Sequence, residues 1–173
     1  LDCGNRAIKI APFDDVTPDL CAKGESGSLI EAGLARIAAV SAVIDASGGE
    51  QRAALMVDCH WRLDTATAKA LIPHLRELGV SWFECPIEET AAQMSNLVTL
   101  RQAANGAGMQ LAGCETMTRW EMFAPFVEGG AYDVIMPDIK YLGGYHELQR
   151  IVERCSSLGV QVSLHNPSGP IAH

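Results

Sequence analysis

A chain of 173 residues, 48% hydrophobic and 20% charged, carries enough apolar side chains to bury one domain's core, which excludes a disordered class. Its formal net charge is −8, and its 13 Lys and Arg form no basic stripe, which argues against nucleic acid, because that binding rests on neutralising phosphates. An anionic substrate would need a bridging cation.

No unbroken apolar run reaches the ~18 residues of a membrane span, and no basic-then-apolar leader opens the chain. No membrane partner is expected, and the cytoplasm is. The first residue is Leu rather than Met, so the chain reads as a piece of something longer. The six cysteines, Cys3, Cys21, Cys59, Cys85, Cys114 and Cys155, form no C-x-x-C pair. They read as small buried fillers in a reducing compartment rather than a zinc site or disulfide framework.

In chain order, short apolar runs alternate with helix-like stretches. The first run covers 7–11. A long loop over 12–27, rich in Asp, Gly, Ser and Pro, follows it. Ser28 with Glu31 reads as a capping box ahead of a helix over 29–46. A run at 55–58 precedes a helix over 64–78 that stops at Gly79, with Pro73 expected to kink it or mark an irregular turn. Runs at 80–84, 109–115, 134–138 and 160–165 then alternate with helices over 94–104, 119–127 and 145–158. Short continuous apolar runs suit strands buried on both faces, and the alternation implies right-handed βαβ units and a parallel sheet. Six such units leave two readings: a doubly wound open sheet, or a barrel of which about two units lie outside the sequence.

The residues ending the runs carry the chemistry. Asp58, Glu84, Glu115, Asp138 and His165 are separated by 26, 31, 23 and 27 residues, about one βα unit each. In a parallel βα fold they share the carboxyl-end rim, where active sites lie. Any one acid alone reads better as a helix cap or loop residue, but all at one-unit spacing does not. Crowded carboxylates repel one another, and a divalent cation resolves this. Asp58, Glu84 and Glu115, oxygen donors only, favour Mg²⁺ over Zn²⁺. Asp138 can orient His165 as in a catalytic dyad. His60 faces the same side as Asp58 if the strand extends that far; otherwise it is a loop histidine packed on Trp61. Lys9 is either a cavity residue that binds a carboxylate or a snorkelling barrel lysine. Asp14 and Arg62 are candidate substrate contacts. His74 reads as a solvated helix residue, and His146, near the start of the last helix, as structural or else close enough to approach the site.

These residues resemble the enolase superfamily, in particular the acid-sugar dehydratases of its mandelate racemase/muconate lactonizing enzyme branch. The resemblance rests on Lys9-Ile10-Ala11-Pro12-Phe13-Asp14, Val57-Asp58-Cys59-His60, Trp82-Phe83-Glu84-Cys85-Pro86-Ile87-Glu88-Glu89, Gly113-Cys114-Glu115, Met136-Pro137-Asp138-Ile139-Lys140-Tyr141-Leu142-Gly143-Gly144 and His165-Asn166-Pro167-Ser168-Gly169-Pro170. It implies a (β/α)₇β variant of the eight-stranded TIM barrel. Residues 1–173 would then be a partial barrel domain covering the second to seventh strands. An N-terminal capping domain and the first and last strands would lie outside the sequence.

The resemblance further implies one Mg²⁺ on Asp58, Glu84 and Glu115, and an Asp138–His165 dyad. His60 would be an acid, as in galactonate-type dehydratases, and Asn166 would join Asp14 and Arg62 in binding substrate. Many relatives carry Lys-x-Lys on the second strand. Here Lys9-Ile10-Ala11 lacks the second lysine, which argues against a two-lysine racemase. The expected reaction takes the α-proton of an aldonate-like sugar acid, passes through a metal-stabilised enediolate, and eliminates water to a 2-keto-3-deoxy acid. A racemase or epimerase and a non-catalytic metal- or ligand-binding module are the alternatives. Even-numbered homo-oligomers are implied by the family.

Overall fold

The computed structural model describes residues 6–47 and 52–167. Six strands form one sheet: β1 (Ala7–Ile10), β2 (Ala54–Asp58), β3 (Val80–Glu84), β4 (Gln110–Gly113), β5 (Val134–Ile135) and β6 (Gln161–Val162). All neighbours are parallel, and the order is sequential from β1 to β6. A doubly wound sheet reverses its strand order at a switch point. No reversal occurs here, so the sheet is an arc of a (β/α) barrel.

Among the described residues six α-helices connect the strands: α1 (Pro18–Ala22), α2 (Gly27–Ala46), α3 (Thr65–Glu77), α4 (Met94–Gly106), α5 (Trp120–Glu128) and α6 (Tyr145–Ser157). The alternation of side chains along each strand builds two apolar layers. Leu55, Val57, Phe83, Leu111 and Ile135 face outward and join the helices in the main core. Trp82, Ala112, Val134 and Met136, with Met56 against them, fill the concave side. Functional groups on the concave parity therefore emerge together at the rim.

The helix ends follow local chemistry. Asp64 caps α3 by accepting from Thr67 N at 2.8 Å, and Gly79 follows with φ of 74°, which a glycine adopts freely. The long loop after β1 is tied down: Phe13 and Val16 are buried, and Thr17 caps α1 through Leu20 N. Five described cysteines, Cys21, Cys59, Cys85, Cys114 and Cys155, are free and buried, whereas Cys3 lies outside the described residues.

Several expectations are corrected. The Ser28–Glu31 capping box does not form, because α2 starts at Gly27, with Ser26 in the cap position, and both residues fall inside the helix. Helix α3 runs through Pro73, which lies on its exposed side, so no irregular turn interrupts it there. The last three strands are shorter than their apolar runs: β4 stops before Cys114, which has left-handed backbone, and β5 stops before Pro137, which has no N–H to give. The expectation about apolar runs counted unbroken stretches and so passed over α2. Among the described residues it is the one helix long and apolar enough to cross a membrane. Here its Gly33, Ile37, Ser41 and Ile44 stripe is buried against the fold, and Ser41 Oγ donates to Leu78 O at 2.9 Å.

Replacing Asp64 by Ala removes the α3 cap and is expected to destabilise the protein by about 1 kcal/mol. A urea titration reads this as a lower midpoint with an unchanged slope.

Candidate active site

The rim is built strand by strand. Asp58 and Glu84 end β2 and β3, and Glu115 lies two residues past β4. All three are buried, and one oxygen from each lies within 4.8 Å of the others. Asp138, fully buried, follows β5, and His165 follows β6.

An ammonium, an indole N–H and two imidazoles surround this acid cluster. Lys9 Nζ on β1 donates to Glu84 Oε1 at 2.5 Å and lies 3.5 Å from Asp58 Oδ2. Trp82, two residues before Glu84 and so on the same face, donates its indole N–H to Glu84 Oε2 at 2.6 Å. His165 Nδ1 is 3.2 Å from Asp138 Oδ2, and its Nε2 is 3.7 Å from Glu115 Oε2. On the other flank His60 Nε2 is 3.1 Å from Asp58 Oδ2, and its Nδ1 is 3.2 Å from Asp14 Oδ1. The two imidazoles thus border the carboxylates from opposite ends of the arc.

His60 reaches this place by a different route from the expected one. Strand β2 ends at Asp58, and His60 sits in a turn at φ of 47°, so strand parity does not place it. Its own N–H donates to Asp58 Oδ1 at 3.2 Å. Arg62 closes that turn through Cys59 O at 3.0 Å, and its Nε is buried with no hydrogen-bond partner among the described residues. Asn166 is half-buried directly after His165. Lys140, which the strand-end reading passed over, places Nζ 3.4 Å from Asp138 Oδ2. Tyr141 packs against His165, with ring centroids 6.1 Å apart. His74 and His146 are exposed on α3 and α6.

Burial and Asp58's charge push the Glu84 carboxyl up to about 7, against the pull of Lys9 and Trp82. Burial and Asp58 also raise Glu115. Burial works to lower Lys9 and His60, but the neighbouring carboxylates outweigh it and both pKa values rise. Four non-glycine residues among those described adopt left-handed backbone: His60, Trp61, Cys85 and Cys114, at φ of 47°, 58°, 43° and 71°. All stand at the carboxyl ends of β2, β3 and β4. Such strain costs about 1–3 kcal/mol per residue and clusters at functional sites.

Residues 2–173 match the enolase C-terminal domain-like family. The chain belongs to that family. It is 30% identical over 136 residues to a D-xylonate dehydratase of Haloferax volcanii, covering 79% of this chain and 31% of that protein. A D-galactarolactone cycloisomerase of Agrobacterium fabrum is 29% identical over 127 residues, 73% of this chain and 32% of its own. The chain thus spans about a third of the length of these curated relatives. A mandelate racemase/muconate lactonizing enzyme structure from Jannaschia sp. CCS1 superposes with a TM-score of 0.77 at 20% identity, over 98% of this chain and 41% of that one. That likeness establishes the shared barrel.

The Glu84 shift fixes a pH dependence. The folded value lies above the ordinary 4.5, so the fold favours the protonated acid. Its stabilising contribution is fully present below pH 4.5 and is lost as pH rises through about 7. With chelator present, the urea midpoint of the parent protein should fall across that window relative to Glu84→Gln. Parallel curves for the two proteins would contradict this.

Proposed function

We propose that this chain forms the catalytic part of a Mg²⁺-dependent acid-sugar dehydratase. The observation carrying this reading is three buried carboxylates within 4.8 Å, bordered by an Asp-held imidazole on one side and a second imidazole on the other. Three carboxylate oxygens with no thiolate or imidazole among them suit a hard cation, and Asp58, Glu84 and Glu115 would hold it. When bound, Mg²⁺ supplies positive charge beside the substrate carboxylate and so acidifies the α-proton.

The chain's own residues do the rest. Asp138 accepts from His165 Nδ1, which leaves Nε2 as the free base beside Glu115. Nε2 takes the α-proton of an aldonate-like substrate. Asp14 and Asp58 raise the pKa of His60 against its burial, which favours its protonated form and suits it as the proton donor. It gives that proton to the leaving 3-hydroxyl. The C3–O bond breaks, water departs, and the enol becomes a 2-keto-3-deoxy acid. Asp14 holds His60, and Arg62 and Asn166 stand next to these groups for substrate contacts. The single lysine on β1, already bound to Glu84, supports elimination over two-base racemisation. Relatives of which the matched segment is about a third support a capping domain that selects the sugar acid. Five free, buried cysteines support a reducing, cytoplasmic setting.

The test is full-length protein with Mg²⁺ against an acid-sugar panel, with semicarbazide detection of keto acids. His165→Asn is expected to lose about 10²–10⁴-fold in kcat while staying folded, and chelation should abolish turnover until Mg²⁺ returns. Deuterium exchange at the α-carbon without keto acid would replace dehydration by epimerisation. An active His165→Asn enzyme would remove the mechanism.

A further inference from the structure

One acid of the rim breaks the strand's own alternation. On β4, Ala112 faces the concave side with Trp82 and Val134. Gly113 faces outward: a Cβ there would lie 2.3 Å from Glu89 Oε1 and 2.6 Å from Tyr132 Cζ. Alternate residues of a strand share a face. A straight continuation would therefore send Glu115 outward with Gly113, into the apolar layer under the helices. Instead its carboxylate lies with Asp58 and Glu84. The residue between, Cys114, has φ of 71° and its side chain packs in the outer core. This single left-handed residue acts as a bulge and re-aims the next side chain.

Cysteine does not favour that conformation, so something must hold it. Cys114 N–H donates to Glu89 Oε1 at 2.6 Å, and Tyr132 OH donates to the same oxygen at 2.9 Å. Glu89 comes from the loop after β3, and Tyr132 lies two residues before β5. The oxygen thus pins the turn from both neighbouring units. Burial pushes the Glu89 carboxyl upward, against these two bonds.

We propose that Glu89 is a positioning residue that fixes the left-handed turn at Cys114 and thereby points Glu115 at the cation. This rests on the reading of Asp58, Glu84 and Glu115 as metal ligands. Glu89 touches neither cation nor substrate in this scheme.

The test measures Mn²⁺ binding to full-length protein by electron paramagnetic resonance, with folding followed by circular dichroism on the same samples. Glu89→Gln keeps an acceptor oxygen at the same reach and is expected to bind within about 3-fold of the parent, because the fixed orientation of the ligand is what affinity needs. Glu89→Asp keeps the charge but loses the reach, and Glu89→Ala loses both. Each is expected to weaken Mn²⁺ by about 10–100-fold while remaining folded. If Glu89→Ala does not fold, Glu89→Asp and Tyr132→Phe decide, both weaker than Glu89→Gln.

Parent-like Mn²⁺ affinity in Glu89→Asp, or Glu89→Gln as weak as Glu89→Asp, overturns the role of Glu89. Asp58→Asn separates the two levels. If it abolishes Mn²⁺ binding while Glu89→Asp leaves binding intact, only the Glu89 role falls. If the parent binds no Mn²⁺, or Asp58→Asn binds as well as the parent, the metal site itself falls and Glu89 with it.

Discussion

Three carboxylates held out of water at one end of a parallel sheet set the conditions for everything around them. Like charges so close cannot all remain ionised without compensation, because burial weakens the screening that water provides. The rim compensates with what a protein has: an ammonium from β1, an indole N–H from β3, and imidazoles on both flanks. Even so, one of the acids is pushed up to about 7. A divalent cation is the ordinary chemical answer to that residual strain, and the same charge makes a neighbouring C–H bond more acidic. Electrostatic need and proposed catalysis thus have one cause.

The backbone contributes as well. Strand alternation brings Lys9, Asp58, Glu84 and Asp138 onto one face without further effort. Glu115 and His60 reach that face only because Cys114 and His60 accept left-handed backbone. The local strain persists because surrounding bonds over-determine it. Trp61 N–H donates to Cys85 O at 2.7 Å, and Cys85 N–H to Ala112 O at 2.9 Å, which laces consecutive loops together just above the strands.

Much of this was legible in the sequence, for identifiable reasons. Apolar runs ending in an ionisable residue at one-unit spacing fixed the strands, their parallel pairing and the ring of acids. The alternation of runs and helices alone left barrel and open sheet undecided, because strand order is a matter of contacts between units and leaves no mark within one; the resemblance of the rim motifs to the enolase superfamily pointed to the barrel. Trp82 was within reach: a period of two from Glu84 puts it on the same face. The left-handed residues were out of reach, since Cys, His and Trp carry none of the signal that Gly or Asn would. Glu89 was hidden for another reason. Its partner Tyr132 lies 43 residues away, and a loop glutamate beside Glu88 looks like ordinary surface. The capping box failed because Ser28 and Glu31 fit the motif wherever the helix begins, and the helix began earlier.

The sequential strand order has a last consequence. The metal-binding acids and the Asp138–His165 pair arrive on successive βα units, with His60 sharing the unit of Asp58, and the sheet sets the spacing of those units. An insertion or exchange in one connecting segment leaves the other units standing where they were. The scaffold therefore behaves as a row of interchangeable sockets, in which a proton donor can be traded on one segment while the acids on its neighbours keep their stations. A lineage built this way can diversify its chemistry piecemeal, without refolding the whole.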